Sequence, residues 1–294
     1  MDNQDQENQS DADIYKPWQR ATAIYCRGNT EIYTLKDYPD WLMKVYYTDI
    51  SANLEINFIQ LTVEEPCRNQ VQIYSDPSCR FAIHDSCCYW YIMRKYTAPS
   101  LKQLDTNWQQ VGLHVLQFLE DVHRKYRRVH MDIKSTNILY ESERNRYIVS
   151  DYGLCESPST ILTREVNTDF RYYYYRFGAE PDQPFVSYRM DLTMLAYLLL
   201  DLTWPSAEGL GFDAAFIRRR NNPRERTPSE SAMFAMRDAA IAKASPVVRS
   251  LLAAIDRAVP WVTDEPPSAS FYGELTDILL SVSAPVSVST SASI

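Results

Sequence analysis

Glycine is scarce: the 294-residue chain holds 7, beside 16 prolines. So few glycines exclude a phosphate loop paved with them and an architecture built on repeated tight turns. No cysteine pair stands in a CxxC arrangement. The six cysteines, at 26, 67, 79, 87, 88 and 155, have no spacing that gathers four ligands around zinc, so reduced, mostly buried thiols are expected. Long apolar runs are also missing. The strongest, residues 194–200, falls far short of the roughly 20 residues that cross a bilayer, so no membrane span is expected. The opening MDNQDQENQSDAD has neither the basic flank nor the apolar run of a secretory signal, which points to an intracellular protein, cytoplasmic or nuclear. Positive charge is not in excess either. Thirty Lys and Arg against 38 Asp and Glu give a formal charge of -8, which leaves no global footprint for nucleic acid or an anionic membrane.

What is present is enough for a sizeable core: 45% apolar residues and 23% charged ones, in a length that predicts about two folding units. Residues 1–13 are polar and acidic and residues 281–294 are a low-complexity run, so both read as disordered tails. The body between them changes character near residue 96. Up to that point, β-branched and aromatic runs (AIYC, EIYTL, WLMKVYY, VQIY, CYWYIM) alternate with turn residues and predict strands. One segment, SANLEINFIQL, breaks the alternation and predicts a single short helix, with Leu54, Phe58, Ile59 and Leu61 on its apolar face. From Asp105 on, Trp108, Val111, Val115, Leu116, Leu119 and Val122 recur at helical spacing behind candidate caps at Asp105 and Thr106. Residues 190–202 are apolar nearly all round, as in a helix at the centre of a domain, and residues 230–258 and 270–280 carry further helical patterns. The expectation is an α+β chain with units at 14–96 and 97–280.

The chemistry concentrates in VHMDIKSTNILY and the following YIVSDYGL. His130, Asp132, Lys134 and Asn137, then Asp151 and Gly153, stand at offsets that closely resemble the catalytic and metal-binding loops of eukaryotic-type protein kinases. That resemblance implies a two-lobed protein-kinase-like fold, with a small, mainly antiparallel-sheet N-lobe (14–96) carrying one helix and a larger helical C-lobe (97–280). It implies ATP and Mg²⁺ as cofactors. Phosphoryl transfer asks the protein to position the acceptor hydroxyl and to neutralise charge spreading over the phosphates. Asp132 would orient the hydroxyl and accept its proton, and Lys134 would reach the transferring group. Asn137 and Asp151 would supply hard oxygen ligands to Mg²⁺. The 14 residues from Asn137 to Asp151 leave room for two strands joined by a turn, ILYES and RYIVS.

The same resemblance assigns positions upstream and downstream. Lys44 in WLMKVYY would hold ATP phosphates and pair with Glu55 of the short helix. Met93 would be the gatekeeper before a hinge, Arg94, Lys95 and Tyr96 would offer backbone groups to adenine, and Leu42 and Leu139 would line its pocket. Asp191 would anchor the backbone of the catalytic loop, and Ile59, Tyr152 and His130 would belong to a stacked apolar spine. For these last assignments, plain core packing is an equally good reading.

Departures from the family pattern are equally specific. The phosphate-covering loop IYCRGNTEIYTL contains Gly28 alone, and Leu42 stands where Ala is preferred. Met131 replaces the Arg that receives a phosphorylated activation loop in many members, so activation by that switch is not expected despite Ser157, Ser159, Thr160, Thr163 and Thr168. Thr168 would bond Asp132 and Lys134. The family's Ala-Pro-Glu signature is blurred into RFGAEPD, which holds Glu180, and its usual Arg partner is missing from TDEPPSASF. The compactness and the divergent glycine loop are similar to virus-encoded kinases, which would act in a host cell.

Lys134 two residues after Asp132 resembles the serine/threonine kinases, with a protein substrate, no nucleic-acid partner and a monomeric state expected. Two alternatives stay open. A pseudokinase would keep the fold as a binding scaffold, and a small-molecule phosphotransferase would share the HxDxxxxN pattern. The basic clusters HRKYRR (123–128) and RRRNNPRER (218–226) read as solvated surface, and RYYYYR (171–176) as packing or a substrate platform.

Overall fold

The computed structural model describes residues 21–27, 30–36, 38–46, 55–59, 80–83, 86–160, 185–204 and 238–281. Gly28, the VQIY run, Thr163, Thr168, RYYYYR, Glu180 and RRRNNPRER lie outside the described residues. The chain divides into two compact units, Met1–Thr97 and Ala98–Ile294.

The first unit is a five-stranded antiparallel sheet. Its strands are β1 (Ala21–Arg27), β2 (Thr30–Leu35), β3 (Tyr38–Tyr46), β4 (Arg80–Ile83) and β5 (Ser86–Arg94), in the order β1-β2-β3-β5-β4. β3 is central because its residues satisfy both pleat faces. Met43 and Val45 are fully buried on one, and Lys44 and Tyr46 are buried on the other. Register places Lys44 opposite Ile32 of β2 and Tyr91 of β5, and Leu42 opposite Met93. Residues 55–59 are helical, and Glu55, Ile56, Phe58 and Ile59 are buried while Asn57 faces out. β4 was not expected from the sequence: four residues, RFAI, are too short a run for alternation to register. Cys155 is buried as expected, but Cys26 is exposed on β1, where its thiol donates to Glu31. That hydrogen bond, with the Glu31 charge, pushes the Cys26 thiol up.

The second unit is mainly helical: α1 (Leu101–Thr106), α2 (Trp108–Arg124), α3 (Tyr188–Leu202), α4 (Pro246–Ala258) and α5 (Ala269–Leu280). The expected caps at Asp105 and Thr106 are displaced. Ser100 caps α1 through a reciprocal box with Gln103, and α2 restarts at Asn107 without a side-chain cap. α2 buries the stripe Val111, Val115, Leu119 and Val122 and packs against α3 and α5. α3 is enclosed by its neighbours, and Arg189 and Asp201 are its two residues that are not buried. The antiparallel ladder of β6 (Ile138–Glu141) and β7 (Arg146–Val149) lies against α2. Its turn closes at Asn145, a left-handed position that Asn tolerates. Among the described residues no helix is long and apolar enough to cross a membrane.

Candidate active site

In the first unit, the alternation of side chains along β3 puts Lys44 and Tyr46 on one face with Tyr91 of the adjoining strand. Glu55 meets that face. Lys44 Nζ donates to Glu55 Oε2 at 2.8 Å and to Oε1 at 3.1 Å, and the Tyr91 hydroxyl donates to Oε1 at 2.7 Å. Both charges are buried, 6% exposed for Lys44 and 1% for Glu55, so neither is tolerable without the other. The Lys44 ammonium also sits 5.1 Å from the centroid of the Tyr46 ring, within cation–π range. Of the other positions assigned here, Leu42 and Met93 are half-buried partners across the sheet, and Lys95 is exposed with its amide donating to Asp40 O.

In the second unit, the segment between α2 and β6 is held by its backbone. Val129 and Glu156 exchange two amide–carbonyl bonds. The amides of His130 and Met131 then both donate to the buried Asp191 carboxylate, at 2.6 and 2.7 Å. Met131 takes a positive φ of 62°, a turn of the chain that brings consecutive amides onto one carboxylate. Its side chain packs with Val129, Val186, Tyr188 and Met190, which accounts for an apolar residue at this position.

The loop presents Asp132. Lys134 Nζ donates to both of its carboxylate oxygens, at 2.8 and 2.7 Å, and Asn137 Nδ2 donates to its Oδ2 at 2.8 Å and to its carbonyl at 2.9 Å. Those two bonds fix the Asn137 amide with its nitrogen on Asp132. Its Oδ1 then accepts no hydrogen bond among the described residues. The Asn137 carbonyl receives the amide and the hydroxyl of Ser150, at 2.9 and 3.0 Å, which ties the residue before Asp151 to Asn137. Asp151 itself is exposed, in the left-handed region at φ 69°. An amide oxygen and a carboxylate from adjoining segments are hard donors that suit Mg²⁺, which binds through one or two carboxylates and fills its shell with water and phosphate oxygens. Among the described residues no three or more His, Cys, Asp and Glu gather into a group that could hold a metal ion. Leu139 is half-buried on β6 opposite Ile148.

Several residues that hold this loop are not evident in the sequence motifs. His123, read as part of a surface basic cluster, is fully buried: its Nε2 lies 2.8 Å from Asp191 Oδ2, and its Nδ1 meets the Tyr272 hydroxyl. Burial pushes the Tyr272 phenol well above its ordinary value, so the hydroxyl keeps its proton and donates to Nδ1, leaving the Nε2 hydrogen for Asp191. The sequence signal for His123 was its place four residues after Leu119, on the buried stripe of α2. His130 packs edge-on to Phe118 and Tyr152, with ring centroids 5.7 Å from each. Phe118 was not singled out from the sequence, and Ile59 is buried within the first unit. Burial pushes the His130 imidazole down, against the pull of Asp191 and Asp132, and its Nδ1 accepts the Asp132 amide, which requires the neutral ring. Arg128, just before the loop, donates to the Ser157 hydroxyl at 2.9 Å.

Among solved structures, the chain is similar to the kinase PK-1 of the Cydia pomonella granulovirus, with a TM-score of 0.55 over 92% of this chain and 98% of that one. The fold is protein-kinase-like. Sequence identity over this kinase-like match is 15%, so it is the fold that the two share. No protein-family model and no curated protein matches the sequence.

Proposed function

We propose that the protein is a serine/threonine protein kinase, moving the γ-phosphoryl group of Mg-ATP onto a hydroxyl of a protein substrate with Asp132 as the base. The observation that carries this reading is the buried Asp132 carboxylate, fixed by Lys134 and Asn137 in a loop whose two preceding amides are gripped by Asp191. Transfer of this kind draws mainly on positioning and on charges set in advance, and a carboxylate held by three hydrogen bonds loses little in reorganisation.

Asp132 orients the acceptor hydroxyl and takes its proton. Lys134 holds Asp132 in place and adds positive charge where the phosphoryl group passes. Asn137 Oδ1 and Asp151 hold the magnesium, which when bound neutralises the phosphate oxygens. Lys44, paired with Glu55, binds phosphate oxygens of the nucleotide, with Gly28 in the covering loop. Leu42, Met93, Lys95 and Leu139 contact adenine. In this reading residues 14–96 are the N-lobe with the nucleotide-binding sheet, and 97–280 are the C-lobe with the catalytic loop, the activation segment and the helical core. Lys134 at its place in DIK supports a Ser/Thr acceptor. The reading is completed by a viral kinase, monomeric and at work in the cytoplasm or nucleus of a host cell; what the granulovirus kinase shares with this chain is its fold.

The test is transfer of labelled γ-phosphate from Mg-ATP to a Ser/Thr-rich protein panel and to the protein itself, with Asp132→Asn alongside. The expected result is transfer by the wild type, loss of it in the variant, and a retained Mg-ATP thermal shift in both. Unchanged transfer by Asp132→Asn would refute the role given to that carboxylate. A wild type with neither transfer nor thermal shift would instead be a binding scaffold on the kinase fold.

A further inference from the structure

We propose that Tyr91 is a positioning residue for the nucleotide-holding ion pair: its hydroxyl keeps the Glu55 carboxylate turned to Lys44 while Lys44 engages phosphate. The proposal rests on the kinase reading of Lys44 given above.

Three facts carry it. Tyr91 stands directly opposite Lys44 across the β3–β5 ladder, so the two side chains rise from the same face of the sheet. Its hydroxyl reaches Glu55 Oε1 at 2.7 Å, shorter than the 3.1 Å bond that Lys44 makes to the same oxygen. Its ring is 1% exposed and stacks on Tyr46, with centroids 6.5 Å apart, and the Tyr46 ring in turn faces the Lys44 ammonium. The packing therefore fixes where the hydroxyl points.

The chemical need for it follows from counting hydrogens. Glu55 is buried, and each of its oxygens needs a donor. Lys44 supplies both, but a lysine that binds a phosphate must turn hydrogens toward it. The bond most easily released is the longer one, to Oε1. Tyr91 keeps that oxygen occupied, so the carboxylate does not swing away when Lys44 divides its hydrogens between Glu55 and nucleotide. A tyrosine does this without adding charge, which a second lysine or arginine would not.

The experiment uses the full chain and measures the KM for Mg-ATP and kcat in protein phosphorylation, with melting followed in every variant. Tyr91→Phe preserves the ring and removes the donor. It is expected to raise the KM for Mg-ATP about tenfold with kcat changed by less than about threefold, the pattern of a lost contact that serves bound substrate and transition state alike. In a Glu55→Ala background, the same substitution is expected to have no further effect on KM, because Tyr91 acts through that carboxylate. If Glu55→Ala does not fold, Glu55→Gln takes its place, and the Tyr91→Phe effect is expected to shrink with the lost charge. An unchanged KM in folded Tyr91→Phe overturns the proposal, and so does a full tenfold effect that persists without the Glu55 carboxylate. A wild type that neither binds nor uses Mg-ATP overturns the kinase reading itself, and this proposal with it.

Discussion

The Tyr272 hydroxyl in α5 is hydrogen-bonded to Nδ1 of His123 in α2, 149 positions earlier in the chain. His123 passes the constraint to Asp191 at the start of α3, and Asp191 passes it to the amides of His130 and Met131. Three helices thus converge, through two side chains and a carboxylate, on the two backbone groups that precede Asp132. His123→Phe strips a buried carboxylate of one donor and is expected to cost about 2–4 kcal/mol of unfolding free energy, against about 1–2 kcal/mol for Tyr272→Phe. Denaturant unfolding checks both. A loss below about 0.5 kcal/mol in His123→Phe would mean that Asp191 is held well enough by the loop alone.

Asp151→Asn removes a charge from the pair of oxygen donors that Ser150 ties together. Affinity for Mg-ATP is expected to fall about tenfold or more, with little change for ATP in the absence of magnesium. Calorimetric titration with and without the metal reads the difference. Undiminished Mg-dependent binding would place the metal on other ligands.

The state of His130 sets a pH dependence. Its folded pKa is lowered by burial, so the unfolded chain binds the extra proton more readily and stability rises with pH across the window below about 6.5. Half-buried His114, lowered first by desolvation and then by Arg146, acts in the same direction. Acidification from pH 7 to pH 5 is therefore expected to cost stability, and His130→Phe should show a visibly smaller loss over that interval. Identical slopes for the two proteins would show that His130 charges freely in the folded state.

Two glycines give opposite outcomes for one substitution. A Cβ at Gly112 in α2 would meet the Leu199 methyl carbons at 3.2 and 3.3 Å and a Leu279 methyl carbon at 3.3 Å, whereas one at Gly273 in α5 meets nothing within 4 Å. Gly273→Ala is expected to stabilise by about 0.5–1 kcal/mol through helix propensity. At Gly112 the same gain is set against crowding of about 1–3 kcal/mol, so Ala destabilises and Val does so more. Thermal melts of the variants decide the signs.

What could be read from the sequence was what lies close together along it. Asp132, Lys134 and Asn137 fall within six residues, and their mutual bonds follow from one turn of backbone, so their offsets alone marked the loop. The β6–β7 ladder and α3 were likewise visible, one from its length and the other from apolar residues on all sides. Contacts closed by the fold were harder to see. Tyr91 meets Glu55 across 36 positions and Tyr272 meets His123 across 149, and one tyrosine of the chain's 21 carries no local mark of the partner it will find. The caps were misplaced for a different reason: Asp105 and Thr106 have capping chemistry, but Ser100 starts the helix one turn earlier, and the chain breaks again at Asn107.

Lys44 belongs to the strand bonded on both edges, to Ile32 on one side and Tyr91 on the other, while Glu55 lies in a helical segment. The pair is therefore mechanically lopsided. Displacing the backbone under the ammonium means tearing two ladders, whereas the backbone under the carboxylate is helical and shares no ladder with the sheet. Any effector that separates the two does so by gripping the helix, and the sheet is the anvil against which it works. In amide hydrogen exchange this lopsidedness has a direct signature: protection is slow to fail at residues 42–46 and quick to fail at residues 55–59.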